Sequence, residues 1–277
     1  MMIVMIVVIY NQKIEDSATI SSLMNIDLDL SKCRLVIWNN GPKIIDKKIQ
    51  HTEKFYSIDF FETLENISLA KIYNYLIELY DCQKYIILDH DSTLSKEFMT
   101  DALKLESDYV GFPIINDISP FVNRKFVNKK GLCKADDKVL AISSGMVISK
   151  YAISNIRQAY SSIFDERFYL YGVDTSFCLR LIKSFEIDKI KIIDGFDHSS
   201  SLLIEESQQI KKFRKKERTY ASALICRYYY SKKYTIFFFI KNSLFNLAKT
   251  IFNKTTSLSM STFLCAYFRG RHYRDKN

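Results

Sequence analysis

The sequence predicts an α/β fold: a mostly parallel central sheet flanked by helices, followed by a C-terminal helical appendage. Ile3–Ile9 is an unbroken apolar, β-branched run, as a strand covered on both faces requires. Strand-like and helix-like segments then alternate, which is the signature of βαβ units with right-handed crossovers. The composition also changes abruptly near the C-terminus. Residues 207–277 hold 16 Lys and Arg against 2 Asp and Glu, whereas residues 1–206 hold 24 against 29. The chain's net charge of +9 therefore arises entirely from the tail, which suggests a polyanionic partner.

The elements follow in order. Ile3–Ile9 ends in Tyr10-Asn11; it is too short for a membrane span and lacks the basic start of a signal peptide. A second strand, Cys33–Trp38, stops at Asn39-Asn40-Gly41-Pro42, a strong turn signal. A third short run lies at Phe55–Ile58. Glu65–Tyr80 then shows helical spacing, with Leu69, Ile72, Tyr73, Leu76 and Ile77 on one face and Asn66 placed to cap it. A chain of 277 residues can bury a large core, and 48% hydrophobic content excludes disorder. Six cysteines without a C-x-x-C pair argue against zinc and for a reducing compartment such as the cytoplasm.

Tyr85–Ser92, YIILDHDS, is the most informative stretch. A buried strand runs into two carboxylates, Asp89 and Asp91, at the carboxyl edge of the sheet, where open α/β folds bind ligands. Hard oxygen ligands at this spacing suit Mg²⁺ or Mn²⁺, which in turn hold a diphosphate. A solvated turn after a strand would use the same residues. The surrounding motifs favour the metal site.

Those motifs resemble the family 2 glycosyltransferases of the GT-A fold, a Rossmann-like architecture, and their bacterial rhamnosyltransferase-like branch in particular. Val8–Asn11 (VIYN) is similar to the opening strand end of that family, and Trp38–Gly41 (WNNG) to its second turn, with Asn39 where Asp is frequent. Glu65–Asn74 (ENISLAKIYN) resembles its helix start, with Ser68 in place of Gly. Ser143–Met146 (SSGM) resembles the acceptor-side strand, Phe164–Leu181 the segment carrying the catalytic acids, and Asp197-His198 the late histidine. The likeness covers about residues 3–200. It departs at Val173, where the family has Glu before the catalytic Asp, and at Ser176, where it has a further Asp. No Q-x-x-R-W motif exists, since Trp38 is the single Trp, which argues against a processive synthase.

The resemblance implies an inverting glycosyltransferase using dTDP-rhamnose or a UDP-hexose. Asp174 is the expected general base. Asp91 and His198 are the expected ligands of Mn²⁺ or Mg²⁺, and Tyr10, Asn11, Asn39, Asn66 and Asp89 the expected nucleotide-donor contacts. The implied setting is bacterial surface polysaccharide synthesis, O-antigen or capsule, on the cytoplasmic face of the inner membrane. The acceptor would be a saccharide on a polyprenyl diphosphate. A soluble or protein acceptor, or a catalytically inactive membrane-associated partner, are the alternatives; the missing Glu keeps the second open.

The expected division is a catalytic domain over 1–206 and a membrane-associating tail over 207–277. In the tail, Ile210, Phe213, Tyr220, Ala221, Leu224, Ile225 and Tyr228 keep helical spacing. Across Tyr234–Phe252, Phe238, Leu244, Phe245, Leu247 and Phe252 oppose a polar face of Asn242, Asn246, Lys249 and Asn253. Lys241 and Lys249 make this a poor spanning helix but a good interfacial one. A helix packed on the catalytic domain, or a homodimer face, would show the same pattern. Nucleic acid is not expected, because the aromatics form one apolar face rather than stacking platforms.

Overall fold

The computed structural model describes residues 2–116, 118–198, 207–252 and 255–275. The chain opens with β1 (Ile3–Ile9), α1 (Ala18–Asn25), β2 (Leu30–Asn39), β3 (Phe55–Glu62), α2 (Leu69–Leu79) and β4 (Lys84–Asp89). Next come β5 (Ser92–Thr93), α3 (Lys96–Lys104) and β6 (Val110–Pro113). Short strands follow: β7 (Phe121–Val122), β8 (Lys125–Phe126), β9 (Gly131–Leu132) and β10 (Val139–Leu140). β11 (Met146–Ser149), α4 (Lys150–Ala159), α5 (Val173–Ser184), β12 (Ile190–Ile193) and β13 (Asp197–His198) complete the α/β part. The C-terminal region is helical: α6 (Gln208–Tyr228), α7 (Lys232–Ile251) and α8 (Met260–Arg269).

The main sheet has eight strands in the order β3-β2-β1-β4-β11-β6-β12-β9. β3, β2, β1 and β4 are all parallel, while β11 runs antiparallel to β4 and β6. Register aligns the strand ends: Ile9 lies beside Asn39, and Val8 beside both Trp38 and Asp89. The carboxyl edge thus gathers Tyr10, Asn39 and Asp89 from three separate segments. β1 alternates between two cores. Val4, Ile6 and Val8 enter the core shared with α2, α4 and α5, and Ile3, Met5, Val7 and Ile9 the core shared with α1 and α3. Burial on both faces explains why the run shows no polar alternation; each such side chain stabilises the fold by roughly 1.5–3 kcal/mol.

Several boundaries differ from expectation. β2 begins three residues earlier than Cys33, and β3 runs on to Glu62. α2 starts at Leu69, capped by the Ser68 hydroxyl, which accepts from Lys71 N. Asn66 is therefore not the cap; it sits in a left-handed turn (φ 51°) ahead of the helix. Asn40 dictates this: its amide donates to Ile67 O at 3.0 Å and its carbonyl oxygen accepts from Ile67 N at 2.9 Å, so the chain is still turning at Ile67.

The tail packs closely on the rest. Ala221, Leu224 and Ile225 of α6 belong to the same core as Val173 and Phe177 of α5. Helix α8 was not foreseen; Phe263 and Ala266 pack on Tyr220, Ala223 and Cys226 of α6. Phe238 stacks on Phe263 at 5.6 Å, so it faces inward rather than joining the outer apolar face. The rest of α7 is largely uncovered: Phe237, Leu244 and Ile251 are each more than 60% exposed. Among the described residues, no helix is long and apolar enough to cross a membrane. The expected domain boundary, between residues 206 and 207, adjoins residues 199–206, and these, like Asn253, lie outside the described residues.

Candidate active site

The D-x-D turn is held by α1. Ser17 Oγ donates to His90 O at 2.7 Å, and Thr19 Oγ1 donates to Asp89 O at 2.5 Å while accepting from Ser92 N at 3.0 Å. The N-cap hydroxyl of α1 and one from its first turn thus fix the backbone between the two acids. The β5–β13 ladder brings the histidine: His198 pairs with Ser92 across that two-stranded sheet. Ser92 Oγ then hydrogen-bonds His198 Nδ1 at 2.9 Å and Ser144 Oγ at 3.1 Å, and Ser144 Oγ accepts from Asp89 N at 3.4 Å. A hydroxyl bonded to the ring orients the imidazole, as outer-shell partners of metal-binding histidines do.

Asp89, Asp91 and His198 present ligand atoms within 4.8 Å of one another. His198 Nδ1 lies 3.5 Å from Asp91 Oδ1. Burial, the Asp91 charge and, more weakly, that of Asp174 push the Asp89 carboxyl up to about 7, with His90 opposing. Among the described residues, no Lys or Arg forms an ion pair with Asp89, Asp91 or Asp174. Two acids without a paired Lys or Arg, together with an oriented imidazole, form a donor set that fits a Mn²⁺-like ion.

Asp174 lies in the first turn of α5, after Gly172 at φ 85°. A Cβ on Gly172 would come within 2.6 Å of the Phe168 ring and 3.1 Å of the Ala221 methyl, so only glycine permits this entry. The Asp174 Oδ1 accepts from Thr175 N at 2.6 Å and from the Thr175 hydroxyl at 3.4 Å. Burial raises the Asp174 carboxyl above its ordinary range, against those two hydrogen bonds. Val173, where the resembled family carries Glu, is buried in the core. Beneath the acids lies Tyr73, fully buried; burial and the Asp89 charge, against a contact with Ser143, raise its pKa well above the ordinary value.

The expected donor contacts divide into two groups. Tyr10 and Asn11 are exposed at the end of β1, and Asn11, at φ 52°, donates its N–H to Gly41 O at 2.7 Å. Asn11, Gly41, Ile44 and Ile45 line a cavity of about 520 Å³ beside the sheet edge. Asn39 is buried and committed: its amide donates to Lys43 O at 2.7 Å and Glu62 Oε2 at 2.6 Å, and its oxygen accepts from Gly41 N at 3.1 Å. Asn66 accepts from Asn40 at 3.3 Å. The positioning roles of Asn40, Ser17, Thr19, Ser92 and Ser144 are not legible in the sequence, because their hydroxyl and amide partners lie far along the chain and leave no local pattern. The segment before α5 is braced by Asp165, which pairs with Arg167 at 2.5 Å and Arg180 at 3.3 Å.

Comparison with solved structures supports the fold. S. aureus TarS superposes with a TM-score of 0.51 at 14% identity, over 85% of this chain and 41% of that one. The chain thus spans about two fifths of TarS. TarS 1-349 in complex with UDP-GlcNAc gives 0.50 at 16% identity, over 85% and 69%. The mannosyltransferase PcManGT from Pyrobaculum calidifontis, in complex with GDP-Man and Mn²⁺, gives 0.50 at 12% identity, over 97% and 86%. The chain therefore has a mixed α/β fold of the type seen in a nucleotide-sugar mannosyltransferase, with a helical C-terminal region. No protein-family model matches it, and no curated protein matches its sequence.

Proposed function

We propose that this chain is an inverting glycosyltransferase acting on a nucleotide-diphosphate sugar. The observation that carries the proposal is the convergence of Asp89, Asp91 and His198 at the carboxyl edge of the sheet, with Asp174 close enough to act on Asp89. Fold alone would not suffice, since function belongs to sites. Asp91 and His198 would hold Mn²⁺ or Mg²⁺, with Asp89 facing the metal or the donor sugar. When bound, that ion neutralises charge on the departing diphosphate. Asp174 takes the proton from the acceptor hydroxyl as general base, and burial, by raising its pKa, makes it a stronger base than an exposed carboxylate. The nucleotide lies over Tyr10, Asn11 and the turn that Asn39 shapes, beside the cavity at Gly41.

Rhamnose from dTDP, or a hexose from UDP, is the proposed cargo by resemblance. The proposed acceptor is a saccharide on a polyprenyl diphosphate, in O-antigen or capsule synthesis, with the protein peripheral to the cytoplasmic face of the inner membrane. The exposed apolar face of α7 and the basic tail support that setting. A homodimer through the same face is the competing use of α7. A catalytically inactive partner is a second reading, favoured by the buried Val173. A thermal-shift screen against nucleotide sugars with Mn²⁺ tests the proposal: a cognate donor raises the Tm through mass action. No shift with any donor would refute it.

A further inference from the structure

The C-terminal segment after α8 returns to the catalytic part and closes around a buried carboxylate. Glu217 of α6 is 1% exposed. It accepts from the Tyr273 hydroxyl at 2.6 Å and pairs with Arg274 Nε at 3.2 Å and His272 Nε2 at 3.6 Å. Burial pushes Glu217 up, but His272, Tyr273 and Arg274 together hold it below the ordinary carboxylate range. Three successive residues of the segment thus converge on one anchor.

From that anchor the segment grips a loop. The His272 ring, itself buried, stacks on Tyr169 at 4.6 Å, and the Tyr169 hydroxyl donates to Asp275 Oδ1 at 2.8 Å. The Arg274 guanidinium lies over Tyr169 and reaches Asn66 O at 3.4 Å. The gripped loop, residues 168–172, is in turn bonded to the turn before α2: Ser68 Oγ donates to Phe168 O at 2.6 Å, and Leu69 N to Tyr169 O at 2.9 Å. It ends at Gly172, and Asp174 follows in the first turn of α5.

We propose that His272–Asp275 is a clamp that positions Asp174 and the Asn66 turn relative to each other. Arg274 and Tyr169 act as positioning residues; neither needs to touch substrate. The catalytic part of the clamp's role rests on the glycosyltransferase reading above. A tail that binds another surface through α7 would then be mechanically joined to the acceptor-side base, because Glu217 and the α7–α8 packing belong to one helical assembly.

The test uses Arg274→Ala, Arg274→Lys and Tyr169→Phe in the full chain, with two readouts. Hydrogen–deuterium exchange should accelerate at residues 66–69 and 168–172 in Arg274→Ala and Tyr169→Phe while the amides of β1 and β4 keep native protection. Donor kcat should fall on the order of 10- to 100-fold in the same variants, as for a misplaced catalytic group, with Arg274→Lys retaining more activity through its ion pair to Glu217. Unchanged exchange in both segments would overturn the clamp, as would kcat within twofold of native. Exchange that rises uniformly across the sheet would also overturn it, assigning these residues to global stability. If the native protein cleaves no donor, the glycosyltransferase reading fails, and exchange alone decides the clamp.

Discussion

Raising the pH should tighten Mn²⁺ binding by an amount the site geometry sets. Asp89 is held up to about 7, chiefly by burial and then by Asp91. Ligation requires the carboxylate, so a proton must leave before the ion binds. With a pKa near 7, about one tenth of the molecules carry an ionised Asp89 at pH 6 and about nine tenths at pH 8. The apparent Mn²⁺ affinity should therefore rise roughly tenfold across that interval. The sign for the metal-free fold is opposite. Because the folded pKa lies above the unfolded value, stability contributed by protonated Asp89 is present at low pH and is lost as pH rises through about 7. The two trends come from one group and must appear together: Mn²⁺ stabilises more at pH 8, where the metal-free protein is strained by its acids. Electron paramagnetic resonance of free Mn²⁺ gives the affinity, and thermal unfolding with and without metal gives the second trend. An affinity that does not change between pH 6 and pH 8 would refute the idea that Asp89 shares the ion's field.

Other expectations concern single residues. Asp91→Asn should leave the unfolding midpoint of the metal-free protein at or above native, since a repelling charge is removed, yet abolish the Mn²⁺-induced shift; a retained shift would remove Asp91 from the ligand set. Asp174→Asn should cost about 10²–10⁴ in transfer rate with donor affinity little changed, and an equal loss of donor binding would move Asp174 into the donor pocket. Phe237, Leu244 and Ile251 project from one stripe of α7. Changing all three to Ser should weaken binding to anionic vesicles about 100-fold or more in co-sedimentation. High salt alone should weaken it less. Vesicle binding unaffected by the triple change would assign the face to a dimer, which sedimentation velocity would then reveal.

The legible parts of the fold are those written in local periodicity. β1 lies where its apolar run placed it, and β4 ends at the D-x-D as expected, because long buried strands tolerate no polar break. The face of α2 is likewise as read, except that Asn74 is also buried, bonded to the backbone of Phe164 in both directions. Elements of two residues carry no period, so the β5–β13 ladder that brings His198 to Ser92 could not be read from spacing. The same holds for Asn39. An Asn-Asn-Gly-Pro turn signals bending, but only the fold shows that Glu62 and Lys43 occupy the Asn39 amide. In the tail, helical spacing located α6 and α7, but spacing cannot say which side meets α8, and Phe238 faces inward for that reason.

The most direct measurement is nucleoside-diphosphate release from a panel of dTDP-, UDP- and GDP-sugars by the native protein with Mn²⁺, repeated in excess EDTA. Release from at least one donor, and its loss on chelation, is the expected result, since Asp89, Asp91 and His198 form the only such ligand cluster among the described residues. Release from no donor, or release undiminished by EDTA, would contradict it.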